Sequence, residues 1–350
     1  MKNKIFLKTK AFFSLSLSPV NMNKVFNLED YKELNKDLQF NQDAQYVHHW
    51  NKIGMNQCRL CNKRLLVVSN EFGIEILFNV GYYYYLFTNH LLFDNKISTY
   101  RGMEAYYYFL PKEQLILRNQ TRTWIPTDQY LLTVYLKMNN GSAAITNFYD
   151  IHPLYWKAPD YISHYRNNLF QYDKPLLIVN NKYNKEWERT LNKPVNFLDI
   201  PCLDQIFDYL TSKYQVVYIR CNDNIKSSLQ YSFDNNKNLP FDDFSMIRSK
   251  HPNVILFDDL LNKKEFQQMN YNLLKCYLFA SCTKYISVQG GANNLISYFA
   301  KSILIYHKFG FEAETNVYTV RSKLQSRFAD FLITHRDDYN EFIKAMKMIY

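Results

Sequence analysis

The sequence predicts an α/β fold: two Rossmann-like, doubly wound domains with a small helical extension at the amino terminus. Three observations lead there. Short apolar runs bounded by polar turns alternate with segments whose apolar residues recur at helical spacing, the pattern of a parallel sheet covered by helices. The alternation starts at Arg64 and starts again at Pro175, with an aperiodic stretch holding Pro153 and Pro159 between the two series. A chain of 350 residues also exceeds what one compact core usually organises.

Taken in order, residues 1–23 read as a leader with a basic start and an apolar patch too brief and Ser-rich to favour a secretory signal. Residues 24–61 predict a helical hairpin: Tyr31, Leu34 and Leu38, then Tyr46, Val47, Trp50 and Ile53, fall at helical spacing and Gly54 closes the run. Through Tyr31, Leu34, Asn35, Asp37, Leu38, Trp50, Gly54 and Arg59 this segment resembles a short module, Tyr-x-x-Leu-Asn-x-Asp-Leu followed by Trp-x-x-x-Gly-x-x-x-x-Arg, found beside carbohydrate-processing domains.

Residues 62–172 make the first α/β domain, with RLLVVSN as a buried strand, EFGIEILFNVGYYYYLFTNHLLF as a helical run, and LILRNQT and YLLTVYLKM as further strands. The consecutive tyrosines Tyr82–Tyr85 must point all round a helix, so they read as core rather than as a sugar-stacking platform. Residues 173–325 make the second domain: strands PLLIVNN, QVVYIRC, NVILFDDL, KYISVQGG and SILIYHK, with LDQIFDYLTSKY, FSMIRSK, FQQMNYNLLKCYLFASC and ANNLISYFAK as helices between them. Residues 326–350 end in the helix-like YNEFIKAMKMI, expected to pack back toward the first domain.

Composition narrows the partners. The net charge of +10 suits an anionic ligand, but Lys and Arg are scattered and no nucleic-acid-binding signature is present, which argues against DNA or RNA. Six cysteines do not make a disulfide framework, and Cys58 and Cys61 form a lone Cys-x-x-Cys that reads as free thiols. No segment has the apolar length of a membrane span, so only peripheral contact with a membrane surface stays open. The expected location is cytoplasmic. A secretory lumen is the alternative if the leader is a signal, and only there would the sequons at Asn119 and Asn140 matter.

The chemistry concentrates in SVQGGANNLISYF. The chain has only eight glycines, and two of them stand together where a predicted strand turns into a helix. In a doubly wound sheet ligands bind at the carboxyl ends of strands, where a helix start offers N–H groups to an anion. Gly290 and Gly291 would clear the approach, and Gln289, Ala292 and Asn293 would line it. Neither the dinucleotide fingerprint nor a Walker phosphate loop is present, and a plain tight turn is the alternative.

The run FASCTKYISVQGGANNLISYFAKSILIYHKFGFE resembles the carboxyl-terminal nucleotide-sugar site of GT-B glycosyltransferases, especially the metal-independent fucosyltransferases and EGF-type O-linked sugar transferases. The layout match runs from Arg64 to Arg321, with IVNNKYNKEW standing where better-known members carry a basic first phosphate motif. The resemblance implies a GT-B pair of domains, acceptor-binding first and donor-binding second. It further implies inverting sugar transfer from a nucleotide-diphosphate donor, as co-substrate, to a hydroxyl of a glycan or glycoprotein.

The charge built up on a departing diphosphate needs a metal or fixed cations. No Asp-x-Asp occurs in the chain, so no metal and no cofactor are expected, and Lys182 and Arg220, each after a strand, are the candidate cations. Asp234 and Asn235 lie in a long polar loop suited to ribose or base, while Asp258 and Asp259 follow a strand and read as nucleoside contacts or helix caps. A general base must take the acceptor's proton. Members of the group use a Glu in a glycine-containing first loop, which implies Glu71, with Glu75 second and His152 third; a capping Glu is the plain alternative. A fold that kept the binding site and lost catalysis is the competing functional expectation.

Overall fold

The computed structural model describes residues 27–54, 66–68, 72–90, 92, 95–119, 156–185, 193–220, 238–310, 329–334 and 339–350. The amino-terminal hairpin is present. Helix α1 (Leu28–Leu34) is capped by the Asn27 side chain, which accepts from the Asp30 N–H at 3.0 Å. Helix α2 (Asp43–His49) runs on as a π turn, Trp50–Gly54. Tyr31 is fully buried, meets Trp50 edge-on at 5.5 Å, and its hydroxyl is hydrogen-bonded to His49 Nδ1 at 2.8 Å. A Cβ at residue 54 would fall on the Tyr31 hydroxyl, so Tyr31, Trp50 and Gly54 are one interlocked unit.

The first sheet has parallel strands in the order β1 (Leu66–Val67), β2 (Ile97–Tyr100), β3 (Leu115–Arg118). Between β1 and β2 lies a continuous helical run, α3 (Phe72–Ile74), a π segment (Glu75–Val80) and α4 (Gly81–Thr88). Tyr82 and Tyr83 are buried and Tyr84 and Tyr85 half-buried, in keeping with a core role. Gly81 makes room for Trp156, whose indole N–H donates to the Leu77 carbonyl at 2.9 Å.

After the short α5 (Tyr161–His164) the second sheet begins. Its elements are β4 (Leu176–Asn181), α6 (Ile200–Leu210), β5 (Gln215–Arg220), α7 (Asp243–Lys250), β6 (Ile255–Leu256), α8 (Phe257–Leu261), α9 (Tyr271–Ala280), β7 (Lys284–Val288), α10 (Ala292–Ile296), β8 (Ser302–Tyr306), β9 (Asp330–Thr334) and α11 (Tyr339–Ile349). The strands are all parallel in the order β6-β5-β4-β7-β8-β9, which is the 3-2-1-4-5-6 order of a Rossmann-like sheet. Alternate residues serve opposite faces: Leu177 and Val179 join the cluster under α6, while Ile178 joins the cluster on the other side.

The terminal helix departs from expectation. It packs against α6, with Phe342, Ile343 and Met346 buried in the cluster that holds Leu203, Ile206 and Phe207, rather than against the first half. The reason is β9, an unanticipated strand that extends the sheet beyond β8 and delivers the chain to the α6 face.

The α/β class with parallel, helix-covered sheets is therefore as the sequence predicts. One apolar cluster, however, runs through both halves, from Val68, Tyr83 and Tyr106 to Leu278, Phe299 and Ile303. Buried hydrogen bonds cross the same boundary: Tyr106 Oη donates to Asn272 Oδ1 at 2.9 Å, Asn272 Nδ2 to the Gly102 carbonyl at 2.6 Å, and Tyr298 Oη to the Ile76 carbonyl at 3.0 Å.

Candidate functional site

In this strand order the connections leaving β4 and β7 diverge to opposite faces, which makes their carboxyl ends the switch point at whose crevice open α/β sheets bind ligands. Lys182 follows β4, and Gln289 and Gly290 follow β7, its hydrogen-bonded neighbour. Lys182 Nζ donates to Gln289 Oε1 at 3.2 Å. To reach it the lysine stem crosses Gly290, where a Cβ would lie 3.0 Å from Nζ and 3.7 Å from Cε. Gly290 also has φ +147, a backbone state that L side chains rarely adopt.

The second glycine has a different reason. A Cβ at Gly291 would lie 2.8 Å from the Gly73 Cα and 2.9 Å from its N, and Asn294 Nδ2 donates to the Gly73 carbonyl at 2.8 Å. What comes close to the two glycines is thus the chain itself, Lys182 at one and the start of α3 at the other. The expectation that both were cleared for a ligand is corrected accordingly.

The half-buried Gly290 and Gly291 N–H groups donate to no acceptor among the described residues, whereas the Asn293 N–H returns to the Gly290 carbonyl at 3.1 Å. Asn293 is fully buried and its Nδ2 donates to the Val288 carbonyl at 2.9 Å, so it ties the turn down instead of lining the crevice. Ala292 is half-buried and opens α10, a helix of 5 residues and too short to add much of a dipole.

Gln289 is buried, and its Oε1 also accepts from Asn196 Nδ2 at 2.9 Å. Asn196 was not among the expected site residues. Its position before α6 carries no local signal beyond Asn being one of the few non-glycine residues that tolerate positive φ, here +55.

Two expected site residues have other work. Arg220 is 4% exposed and pinned by Asp243: Nε lies 2.6 Å from Oδ2 and a terminal nitrogen 2.7 Å from Oδ1. Tyr218 donates to Asp243 Oδ2 at 2.5 Å, and burial, with the carboxylate charge added, raises its hydroxyl far above the usual tyrosine range. Arg220 is therefore a neutralised core cation, not a charge offered to a ligand. Its partner was hidden because Asp243 lies beyond a long polar loop.

Glu75, the first residue of the π segment, is fully buried, and its Oε1 accepts from Thr99 Oγ1 at 2.5 Å and from Tyr107 Oη at 2.7 Å. Burial first, and the Glu75 charge second, keep the Tyr107 hydroxyl protonated. A carboxylate enclosed in this way holds the core beneath the first sheet and does not meet an acceptor, which corrects its candidacy as a base. Asp258 and Asp259 sit in the first turn of α8, with Asp259 paired to Arg248 at 2.8 Å on the surface; neither caps the helix. Glu71, His152, Asp234, Asn235, Cys58 and Cys61 lie outside the described residues.

One group of possible metal ligands occurs among the described residues: Asp204, Asp208 and His251. One of its two carboxylates is already engaged, since Asp204 Oδ1 lies 2.7 Å from His251 Nε2 and Oδ2 lies 2.9 Å from Lys250 Nζ. His251 ends α7 just before β6, so this group stands at the amino ends of the strands, the opposite edge from Lys182. The described residues contain no helix long and apolar enough to cross a membrane.

The arrangement at the switch point is thus one ammonium, held by the buried amides of Gln289 and Asn196, beside a turn with two peptide N–H groups that have no acceptor among the described residues. Chemically it suits an anionic group of phosphate type. No protein family matches the chain, and no curated protein or solved structure matches it significantly.

Proposed function

We propose that this crevice binds the diphosphate of a nucleotide-sugar and that the chain is an inverting, metal-independent glycosyltransferase acting on a hydroxyl of a glycan or glycoprotein. The observation that carries the reading is the Lys182 ammonium held over Gly290 by Gln289 at the switch point of a 3-2-1-4-5-6 sheet, beside a turn whose Gly290 and Gly291 N–H groups donate to no described residue. Support also comes from the resemblance of the Tyr285–Lys308 segment to GT-B donor sites and from the absence of Asp-x-Asp in the sequence.

In the reaction the acceptor oxygen attacks the anomeric carbon while the carbon–oxygen bond to the diphosphate breaks. The leaving diphosphate takes the bonding electrons and is stabilised by Lys182 and the two N–H groups. The acceptor's proton passes to a carboxylate, for which Glu71 is the candidate, two residues before the Gly73 that touches Gly291.

The test is thermal unfolding with a panel of nucleoside diphosphates and their sugars in EDTA, followed by a transfer assay with the donor that binds. A ligand at a hundred times its Kd adds about 2.7 kcal/mol, a clear shift. No shift with any diphosphate refutes the reading. Binding and transfer in the parent, with transfer lost in Glu71→Gln, support it.

The enclosure of Glu75 favours one second reading, a nucleotide-sugar-binding protein without catalysis. It predicts binding by the parent chain with no turnover across a broad acceptor panel.

A further inference from the structure

Asn196 uses its whole hydrogen-bonding capacity. Its Oδ1 accepts the N–H groups of Lys308, at 2.8 Å, and Phe309, at 2.9 Å, both in the segment leaving β8. Its Nδ2 donates to the Phe309 carbonyl at 2.6 Å and to Gln289 Oε1 at 2.9 Å. An amide oxygen accepts two such bonds and an amide nitrogen donates two, so the group is saturated.

Saturation fixes orientation. Backbone N–H groups can only donate, so the atom facing Lys308 and Phe309 has to be the oxygen, and Nδ2 is left to face Gln289. Gln289 must then present its oxygen, and it is this oxygen that receives the Lys182 ammonium at 3.2 Å. A rotation of either amide would set two N–H donors, or a donor and a cation, against each other in a buried place; Asn196 and Gln289 are both fully buried.

We infer that Asn196 is a positioning residue: acting through Gln289, it fixes the Lys182 ammonium over Gly290, and so presets the cation for a diphosphate. The functional half of this inference rests on the reading that the crevice binds a diphosphate. Residues from three connections, the one between β4 and α6 and those following β7 and β8, are thereby made to agree on the location of a single charge. Asn fits the place twice, because it supplies both donor and acceptor and because it tolerates the φ of +55.

The test is a coupling experiment. Kd for uridine diphosphate and guanosine diphosphate is measured by calorimetry in the parent, Asn196→Gly, Gln289→Met and Lys182→Met, and in each of the first two combined with Lys182→Met. Glycine accepts positive φ, and methionine keeps the length of Gln289. Asn196→Gly and Gln289→Met should each weaken the tighter diphosphate by about tenfold, and neither should weaken it further once Lys182 is methionine.

In parallel, reductive ¹³C-methylation gives the Lys182 resonance, identified by its loss in Lys182→Met. It should move in Asn196→Gly and in Gln289→Met without added ligand. An unmoved resonance in both variants overturns the positioning role whether or not anything binds. Equal weakening in the parent and Lys182→Met backgrounds overturns it too, while leaving the diphosphate reading intact. Absence of diphosphate binding by the parent overturns that reading, and with it the claim that the preset charge serves a diphosphate.

Discussion

Removal of the Asp243 carboxylate is the sharpest test of how the second half is held together. Asp243 is fully buried, takes two guanidinium nitrogens of Arg220 at 2.6 and 2.7 Å, and accepts the Tyr218 hydroxyl at 2.5 Å. Asp243→Ala leaves a guanidinium that is 4% exposed without its bonded carboxylate, with Asp258 acting on it only through space, and a buried phenol without its acceptor. Breaking one side of a buried pair costs roughly 3–5 kcal/mol. For domains of about 150–250 residues each kcal/mol moves Tm by about 2–4 °C, and a chain this long sits at the low end, so a fall of roughly 6–10 °C is expected.

Removing both charges should be far gentler. In Arg220→Met/Asp243→Leu the methionine lies against Phe244, over whose ring the guanidinium now sits at 4.8 Å, and no unpaired charge remains. Calorimetric melts of the parent, each single variant and the pair decide the matter. A single Asp243→Ala variant melting within about 2 °C of the parent, or a pair no more stable than the single, refutes the account. The pair should also keep diphosphate affinity; loss of affinity in a fully folded pair would return Arg220 to the ligand site.

Three further outcomes are expected. Gly291→Ala forces a Cβ to 2.8 Å from the backbone of Gly73, where no flexible side chain can yield, and should cost about 1–3 kcal/mol by urea titration. Lys182→Met removes a half-buried surface cation and should leave Tm within a few degrees of the parent while weakening diphosphate binding at least about tenfold in calorimetry. Hydrogen bonds from Lys250 and then His251 hold the Asp204 carboxyl below its ordinary 3.8. The unfolded chain therefore takes up that proton first as pH falls, so the stabilisation is whole above about pH 4 and is lost as pH drops through the folded value. Chemical denaturation from pH 5 to pH 2 should accordingly show a shallower loss in Asp204→Asn than in the parent.

Much of the second sheet was legible because a strand buried on both faces reads as an unbroken apolar run, as in Leu176–Val179, Val216–Ile219 and Ile303–Ile305. Two strands escaped for opposite reasons. In β2 (Ile97–Tyr100) all four residues are buried, but Ser98 and Thr99 interrupt the apolar signal; in β9 (Asp330–Thr334) an exposed edge and a leading Asp weaken it.

At the site, scarcity of glycine was enough to mark the corner at Gly290. What occupies the space there was not legible, since Lys182 and Gly73 come from distant parts of the chain and local spacing says nothing about them. The same holds for Arg220, whose place at the end of β5 was readable and whose buried counter-ion was not. Asn196 gave no sign because its role depends on loops that only the folded sheet brings together.

The aromatic cluster that joins Tyr83 and Tyr106 to Tyr161, Tyr298 and Phe299 has a bearing on how the protein can be handled. Cutting the chain near Pro175 would lay bare the surfaces that Tyr298 and Phe299 turn to Trp156 and Tyr161, both of which are almost wholly enclosed in the intact molecule. Neither fragment would then stay in solution as a well-behaved piece. Heating should melt both sheets in one transition, and a protease should find no stable halfway product.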